Sequence, residues 1–145
     1  MSGARGRLGS WVLVPMVSAV LLASCSGAGP AAGTRTIRVD TTPVAVDELQ
    51  EAVTGLCLAL DRLATDPLAA RDAFYDLSHE RLHTIAAAAG EVDRPAAASL
   101  LEAKAAVEAD LDRVPFPSSL PGDLERLVTA TRSALEALSI SSEPC

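Results

Sequence analysis

The apolar residues after position 45 recur with the period of an α-helix. Between Leu49 and Leu63 the steps alternate between four and three residues. This spacing places one apolar stripe on a single helix face, which has to be buried against another part of the chain. Asp47 and Gln50 have the spacing of a capping box, so we expect the first helix to begin there. The predicted stripe consists of Leu49, Val53, Leu56, Leu60 and Leu63.

Three further segments show the same helical pattern. Asp66 and Asp93 stand at N-cap positions with a proline close behind, which predicts a second helix over residues 67–89 and a third after Asp93. Pro121 lies at the start of a fourth. Four amphipathic helices with short connections predict an all-α fold, an antiparallel four-helix bundle over residues 46–145.

Residues 1–24 have the composition of an export signal. Arg5 and Arg7 precede an apolar run that ends in small residues. The run Leu22-Ala23-Ser24-Cys25 resembles the lipobox of bacterial lipoproteins. This resemblance implies cleavage before Cys25, acylation of its thiol with a palmitate-type chain, and a cell-membrane anchor on the extracytoplasmic face. A transmembrane helix is the alternative, but the apolar run is shorter than the ~20 residues that a span requires.

Residues 25–45 are predicted to be a flexible tether between the anchor and the helical domain. They are rich in Gly, Ala, Thr and Pro and show no helical period. A weak alternation from Thr34 to Asp40 would suit a short strand. Because a single strand has no partner here, we interpret this stretch as extended linker.

The composition of the mature chain excludes several classes of function. Cleavage would remove Trp11 and both methionines, which excludes thioether copper sites and leaves few aromatic side chains. It would also remove two arginines and no acid, so the formal charge of −7 becomes −9. An acidic surface repels nucleic acid and anionic lipid headgroups. We therefore expect no nucleic-acid partner, and membrane contact through the lipid alone.

Two cysteines remain once Cys25 carries lipid. Cys57 lies on the first predicted helix and Cys145 on the polar tail. Because disulfides persist outside the cytoplasm, an intramolecular Cys57–Cys145 bridge is the economical expectation. Free thiols or an intermolecular bridge are the alternatives.

The sequence His79-Glu80-Arg81-Leu82-His83 matches the H-E-x-x-H pattern of zinc proteases, in which both histidines bind metal and the glutamate activates water. Arg81 departs from this pattern, because those proteases carry an uncharged residue there. The chain also offers neither a third histidine nor a strand to bind a peptide substrate. A metallohydrolase is therefore the remotest hypothesis.

A helical wheel of the second helix groups a different set of ligands. At 100° per residue, both histidines share a narrow stripe with two aspartates, whereas Glu80 points away. Imidazole and carboxylate ligands suit zinc, copper(II) or iron. A solvated helix face is the alternative explanation. The stripe consists of Asp72, Asp76, His79 and His83.

Helix three carries a charged pair on its apolar face. Lys104 and Glu108 lie one turn apart among apolar residues. Such charges have to be paired, extended to solvent or functional. In the functional interpretation, Glu108 meets the helix-two stripe and completes its metal site, whereas the zinc-protease hypothesis would need Glu102 or Glu108 as its third ligand.

These patterns give two main hypotheses for a lipid-anchored, extracytoplasmic protein without enzymatic activity. The first is binding of a divalent transition metal by the stripe and Glu108. The second is an interaction or structural module that docks to an envelope protein through an acidic helical face.

We predict that a Cys25→Ser chain is exported without lipid and no longer partitions with membranes, because the acylated thiol is the expected anchor. Fractionation of cells producing this variant checks the prediction, with Ser26→Ala as the control that keeps the lipidated cysteine. Unchanged membrane fractionation of Cys25→Ser would contradict the lipobox interpretation and favour a transmembrane anchor.

Overall fold

The computed structural model describes residues 34–39 and 42–145. The predicted signal peptide and the predicted lipidation site, Cys25, lie outside the described residues. Within the described part the chain is mostly helical, and the all-α prediction is confirmed. None of its helices combines the length and apolar character that crossing a bilayer requires.

The elements follow one another with short connections. A two-stranded hairpin precedes the helices, and the second predicted helix is one continuous run whose middle is π-helical. In chain order the elements are β1 (Thr36–Val39), β2 (Thr42–Ala45), α1 (Val46–Leu63), α2 (Pro67–Ala73), the π-helical segment (Phe74–His79), α3 (Glu80–Gly90), α4 (Arg94–Leu111) and α5 (Leu120–Ala137).

The helix starts follow the capping residues, with one exception. The carboxylates of Asp66 and Asp93 each accept a hydrogen bond of 3.0 Å from the backbone N–H three residues later. The capping box predicted at Asp47 is wrong, since α1 begins one residue earlier with Ala45 as an N-cap that makes no side-chain bond. The amide of Gln50 instead donates to the Ser141 carbonyl oxygen at 2.7 Å.

The interpretation of residues 34–40 as unpartnered linker is wrong where β1 forms. β1 pairs antiparallel with β2, in a register that places Thr36 opposite Ala45 and Ile37 opposite Val44. Ile37 and Val44 pack against the helical core, so burial stabilises a hairpin that would be marginal alone. The backbone N–H of Val46 donates to the Arg35 carbonyl oxygen at 2.8 Å and joins the hairpin to α1.

The core lies between α1, the second helical run, α4 and α5. α1 packs on α2, the π-helical segment, α3 and α5, and α4 packs on α3 and α5. Its largest fully buried side chains are almost all leucines from these helices. Of the predicted α1 stripe, Leu49, Val53 and Leu56 are buried, whereas Leu60 and Leu63 are only half-buried.

The polar tail returns to α1, as the sequence predicts. Cys57 and Cys145 form a disulfide with an S–S distance of 2.03 Å and a Cα–Cα distance of 5.2 Å. Ile140 is buried in the core, and Ser139 turns the chain with a φ of 59°. The bridge joins residues 88 positions apart, which in the chain-entropy model stabilises the fold by about 4 kcal/mol.

The π-helical segment changes which residues of the second run face the core. Its i→i+5 hydrogen bonds are equivalent to one inserted residue, which rotates the following residues by about 100° relative to a regular helix. Within this segment Leu77 is 36% exposed, whereas Ser78 is 1% exposed. The Ser78 hydroxyl donates to the Ala52 carbonyl oxygen of α1 at 2.9 Å, which satisfies its buried oxygen.

Gly55 allows α1 to approach this segment closely. A Cβ atom at position 55 would lie 2.6 Å from the Leu77 Cβ and closer still to the Ser78 Oγ. Real Cβ atoms do not approach other atoms so closely, so only glycine fits at this crossing.

We predict that Gly55→Ala lowers the free energy of unfolding by about 1–3 kcal/mol, because the new methyl group has to separate α1 from the π-helical segment. Gly122→Ala is the matched control, since a Cβ there meets no atom within 4 Å. The control should be neutral or stabilising by up to about 1 kcal/mol. Urea unfolding followed by circular dichroism measures both variants. Equal stability of Gly55→Ala and the native chain would contradict the close approach.

Candidate functional site

A charged cluster connects α4 to the end of the π-helical segment. Glu108 Oε1 accepts a hydrogen bond of 2.5 Å from the Lys104 ammonium one turn earlier on α4. Lys104 is the only lysine of the chain and is 2% exposed. An ammonium so deeply buried requires an anionic partner, and Glu108 provides it.

His79 approaches the same carboxylate from the second helical run. Its Nε2 lies 2.6 Å from Glu108 Oε1, and its Nδ1 lies 3.0 Å from Glu80 Oε1. A neutral imidazole has one N–H, so both contacts are hydrogen bonds only in the imidazolium form. The Glu108 contact is half-buried, whereas the Glu80 side chain is 84% exposed and its contact is screened by solvent.

The electrostatics of Glu108 follow from these neighbours. Burial alone would raise the pKa of the Glu108 carboxyl. The hydrogen bonds and positive charges of Lys104 and His79 outweigh burial and lower the pKa below its ordinary value. Glu108 therefore stays ionised in the folded protein at neutral pH.

Aromatic rings cover one side of the cluster. The ring centroid of His79 lies 5.4 Å from that of Tyr75 and 5.3 Å from that of His83. Burial raises the pKa of the Tyr75 hydroxyl, and the carboxylates of Asp112 and Glu108 raise it further. The Arg71 guanidinium, 5.7 Å above the Tyr75 ring centroid, opposes this shift.

The structure brings together only part of the predicted metal site. His79 meets Glu108, as expected, and His83 lies beside His79. Asp72 and Asp76 are exposed, and within residues 34–39 and 42–145 no group of three or more His, Cys, Asp or Glu side chains could hold a metal ion. The rotation at the π-helical segment separates the two aspartates from the histidines, which a uniform wheel places in one line.

The contacts of Glu80 differ from the prediction that its side chain points away from the histidines. They also do not favour the zinc-protease hypothesis. Glu80 does not point away, because its carboxylate reaches His79 Nδ1. Glu80 and Glu108 stand at opposite ring nitrogens, so they cannot bind one ion together with His79. Arg81 donates to the Leu77 carbonyl oxygen at 3.0 Å and to Glu51 at 2.5 Å, which gives it a structural role between α3 and α1.

Two buried carboxylates were not singled out from the sequence. Asp110 accepts a hydrogen bond of 2.7 Å from the Ser119 hydroxyl, and Asp123 pairs with Arg126 at 2.6 Å. The Asp110 contact joins the end of α4 to the residue before α5, whereas Asp123 and Arg126 pair within the first turns of α5. Their position next to the helix ends was a usable signal. Ser78 lies four residues after Phe74 and four before Leu82, a spacing that places it on the buried face.

A second feature is a groove beside α1. It has a volume of about 830 Å³ and lies between the second half of α1, the start of α5 and the disulfide. Its walls are mainly apolar, and its polar groups include Asp61 and Glu125. The half-buried end of the α1 stripe, Leu60 and Leu63, lines it.

Comparison of the chain with family models, curated proteins and solved structures finds no match. The proposed function therefore rests on the geometry of the charged cluster and of the groove.

We predict that Glu108→Gln lowers the free energy of unfolding at pH 7 by about 1–3 kcal/mol, because buried Lys104 loses its anionic partner. The Glu108 pKa is below its unfolded value of 4.5, so the stabilisation is present above that pH and is lost as the pH falls through the folded pKa. The difference between the native chain and the variant should therefore shrink below about pH 4.5.

Urea unfolding between about pH 7 and pH 3 measures this difference. Glu102→Gln is the matched control, an exposed acid on the same helix that forms no ion pair in the described part of the chain. An identical pH dependence of the two variants would refute the role of Glu108.

Proposed function

We propose that this chain is a lipid-anchored protein of the extracytoplasmic membrane face that acts without catalysis, as an interaction or structural module of the cell envelope. Its helices would form an antiparallel four-helix bundle. Its partner would be another envelope protein rather than nucleic acid or the lipid surface.

Two features support the proposed location. The Leu22-Ala23-Ser24-Cys25 run has the order of a lipobox after an apolar segment. The Cys57–Cys145 disulfide, which is independent of that run, is the kind of cross-link that persists in an oxidising compartment.

The helix contacts support the proposed bundle. α3 packs on α4, and α4 packs on α5 after a short connection, as expected for antiparallel neighbours. α1 contacts the second helical run and α5 and so closes the arrangement. α1, α4 and α5 have 18 residues each, or about five turns, and the second run over residues 67–90 is about one to two turns longer.

The internal pairing of the charged cluster supports a non-catalytic role. Lys104 and His79 both bind Glu108, and Glu80 contacts the other ring nitrogen of His79, so each charged group of the cluster has a partner of opposite charge. Among the described residues, every fully buried side-chain nitrogen or oxygen has a hydrogen-bond partner. Fully satisfied networks of this kind specify how helices pack.

One observation supports the interaction proposal most directly. The apolar stripe of α1 is longer than the part of it that the other helices cover. Leu49 and Leu56 are fully buried, but Leu60 and Leu63, in the same stripe, line the open groove. Apolar side chains at the rim of an accessible groove are a common feature of surfaces that bind a partner.

We predict that a photoactivatable crosslinker at position 54 captures a partner of discrete size in cells that produce the full chain, because exposed Thr54 lines the groove. The matched control places the crosslinker at Ser99, an exposed small residue on α4 outside this groove. Gel electrophoresis and mass spectrometry identify adducts. Absence of an adduct at position 54, or the same adducts at both positions, would refute the interaction proposal.

A further inference from the structure

The groove beside α1 continues past its central part in both directions. A depression of about 620 Å³ shares Thr54, Cys57 and Cys145 with the central groove. Another of about 210 Å³ shares Leu63 and Pro121 with it. Together they follow one face of α1 from Gln50 to Leu63, a length of about 20 Å at 1.5 Å per residue.

The residues that α1 contributes have helical spacing. They recur every three or four positions, which produces ridges of the kind that a second helix packs against. The α1 residues that line the three depressions are Gln50, Val53, Thr54, Cys57, Leu58, Leu60, Asp61 and Leu63.

The charges around this groove have one sign. Asp61 and Glu125 line its central part, and Glu143 lines the neighbouring depression. Among the residues that the structure describes, no Lys, Arg or His side chain lines any of the three depressions. Within the described residues, none of these three carboxylates forms an ion pair. A ligand that supplied positive charge at the rim would therefore complement them.

We propose, building on the proposed interaction function, that the groove binds an amphipathic helix of an envelope partner, with its apolar face against α1 and lysine or arginine at its edges. The length of the groove matches about 13 residues of helix. The open, elongated shape suits a helix, and the carboxylates oppose fatty acids and anionic lipid headgroups.

The disulfide holds one wall of this binding site. Residues 142–145 line the depression next to Cys57 and carry Glu143. Cys145 is bonded to Cys57 of α1, so reduction releases these residues from the groove. Reduced protein should therefore bind the partner helix more weakly than oxidised protein.

The test uses the full-length lipidated protein in phosphatidylcholine nanodiscs. The probe is a labelled synthetic peptide of about 14 residues, with leucines on one helical face and lysines at the edges, and fluorescence anisotropy measures its Kd. Empty nanodiscs provide the background. A second peptide with glutamate in place of lysine should bind at least about tenfold more weakly, because its charges meet carboxylates.

Two pairs of variants locate the binding to the groove. Asp61→Asn with Glu125→Gln should weaken lysine-peptide binding about fivefold, since two exposed charge pairs are lost. Asp72→Asn with Glu102→Gln makes the same change of charge at exposed acids outside the groove and should have no effect. Thr54→Arg, which places a bulky cation in the groove, should weaken binding more strongly, whereas the matched Ser99→Arg should not.

Equal binding of the lysine and glutamate peptides, or equal effects of the groove variants and their controls, would overturn this inference. So would displacement of the peptide by oleate at a lower concentration than unlabelled peptide requires, which would identify a lipid chain as the occupant. A discrete adduct at position 54 in cells would still support the interaction proposal in these cases. If the peptide binds specifically but no such adduct forms in cells, the interaction proposal is refuted. The affinity of the groove for a cationic helix would then still hold.

Discussion

The close approach of α1 to the π-helical segment is the constraint on which the other features depend. Gly55 leaves the space, and the Ser78 hydroxyl satisfies the Ala52 carbonyl within it. The same segment ends at His79, so its rotation decides which face of α3 meets α4. A regular helix through residues 74–79 would turn α3 by about 100° relative to α2 and direct His79 elsewhere. One local change in helical geometry thus sets both the α1 contact and the charged cluster.

The charged cluster shows how a small core tolerates a buried ammonium. Lys104 is 2% exposed, and the desolvation cost of its charge is offset only while Glu108 is ionised beside it. His79 adds a second donor to the same oxygen and links the second helical run to α4. Such a network contributes less to net stability than its short distances suggest. Its larger effect is to specify one alignment of the second helical run against α4, because a shifted alignment would separate His79 from Glu108.

Local chemistry made part of this structure predictable. Asp66 and Asp93 cap helices as expected, Cys57 and Cys145 are bonded, and Glu108 meets His79. The π-helical segment was missed because its cause is tertiary: the contact with Gly55 and Ala52, 20 or more residues away, is invisible to a helical wheel. This is also why Asp72 and Asp76 were grouped with the histidines. The hairpin was missed because β2 begins with Thr42-Pro43, a composition typical of linker.

The hairpin also determines how the domain responds to tension. A load applied from the N-terminal side enters at Thr34, next to the open end of the hairpin, where Thr36 pairs with Ala45. Force in this geometry peels the strands apart one pair at a time instead of shearing all pairs together. The Arg35 contacts with Val46 and Ser139 would break first. Peeling would release about 30 Å of chain from residues 36–45 while the helices stay folded. The hairpin would thus extend at a force that leaves the helical part of the domain folded.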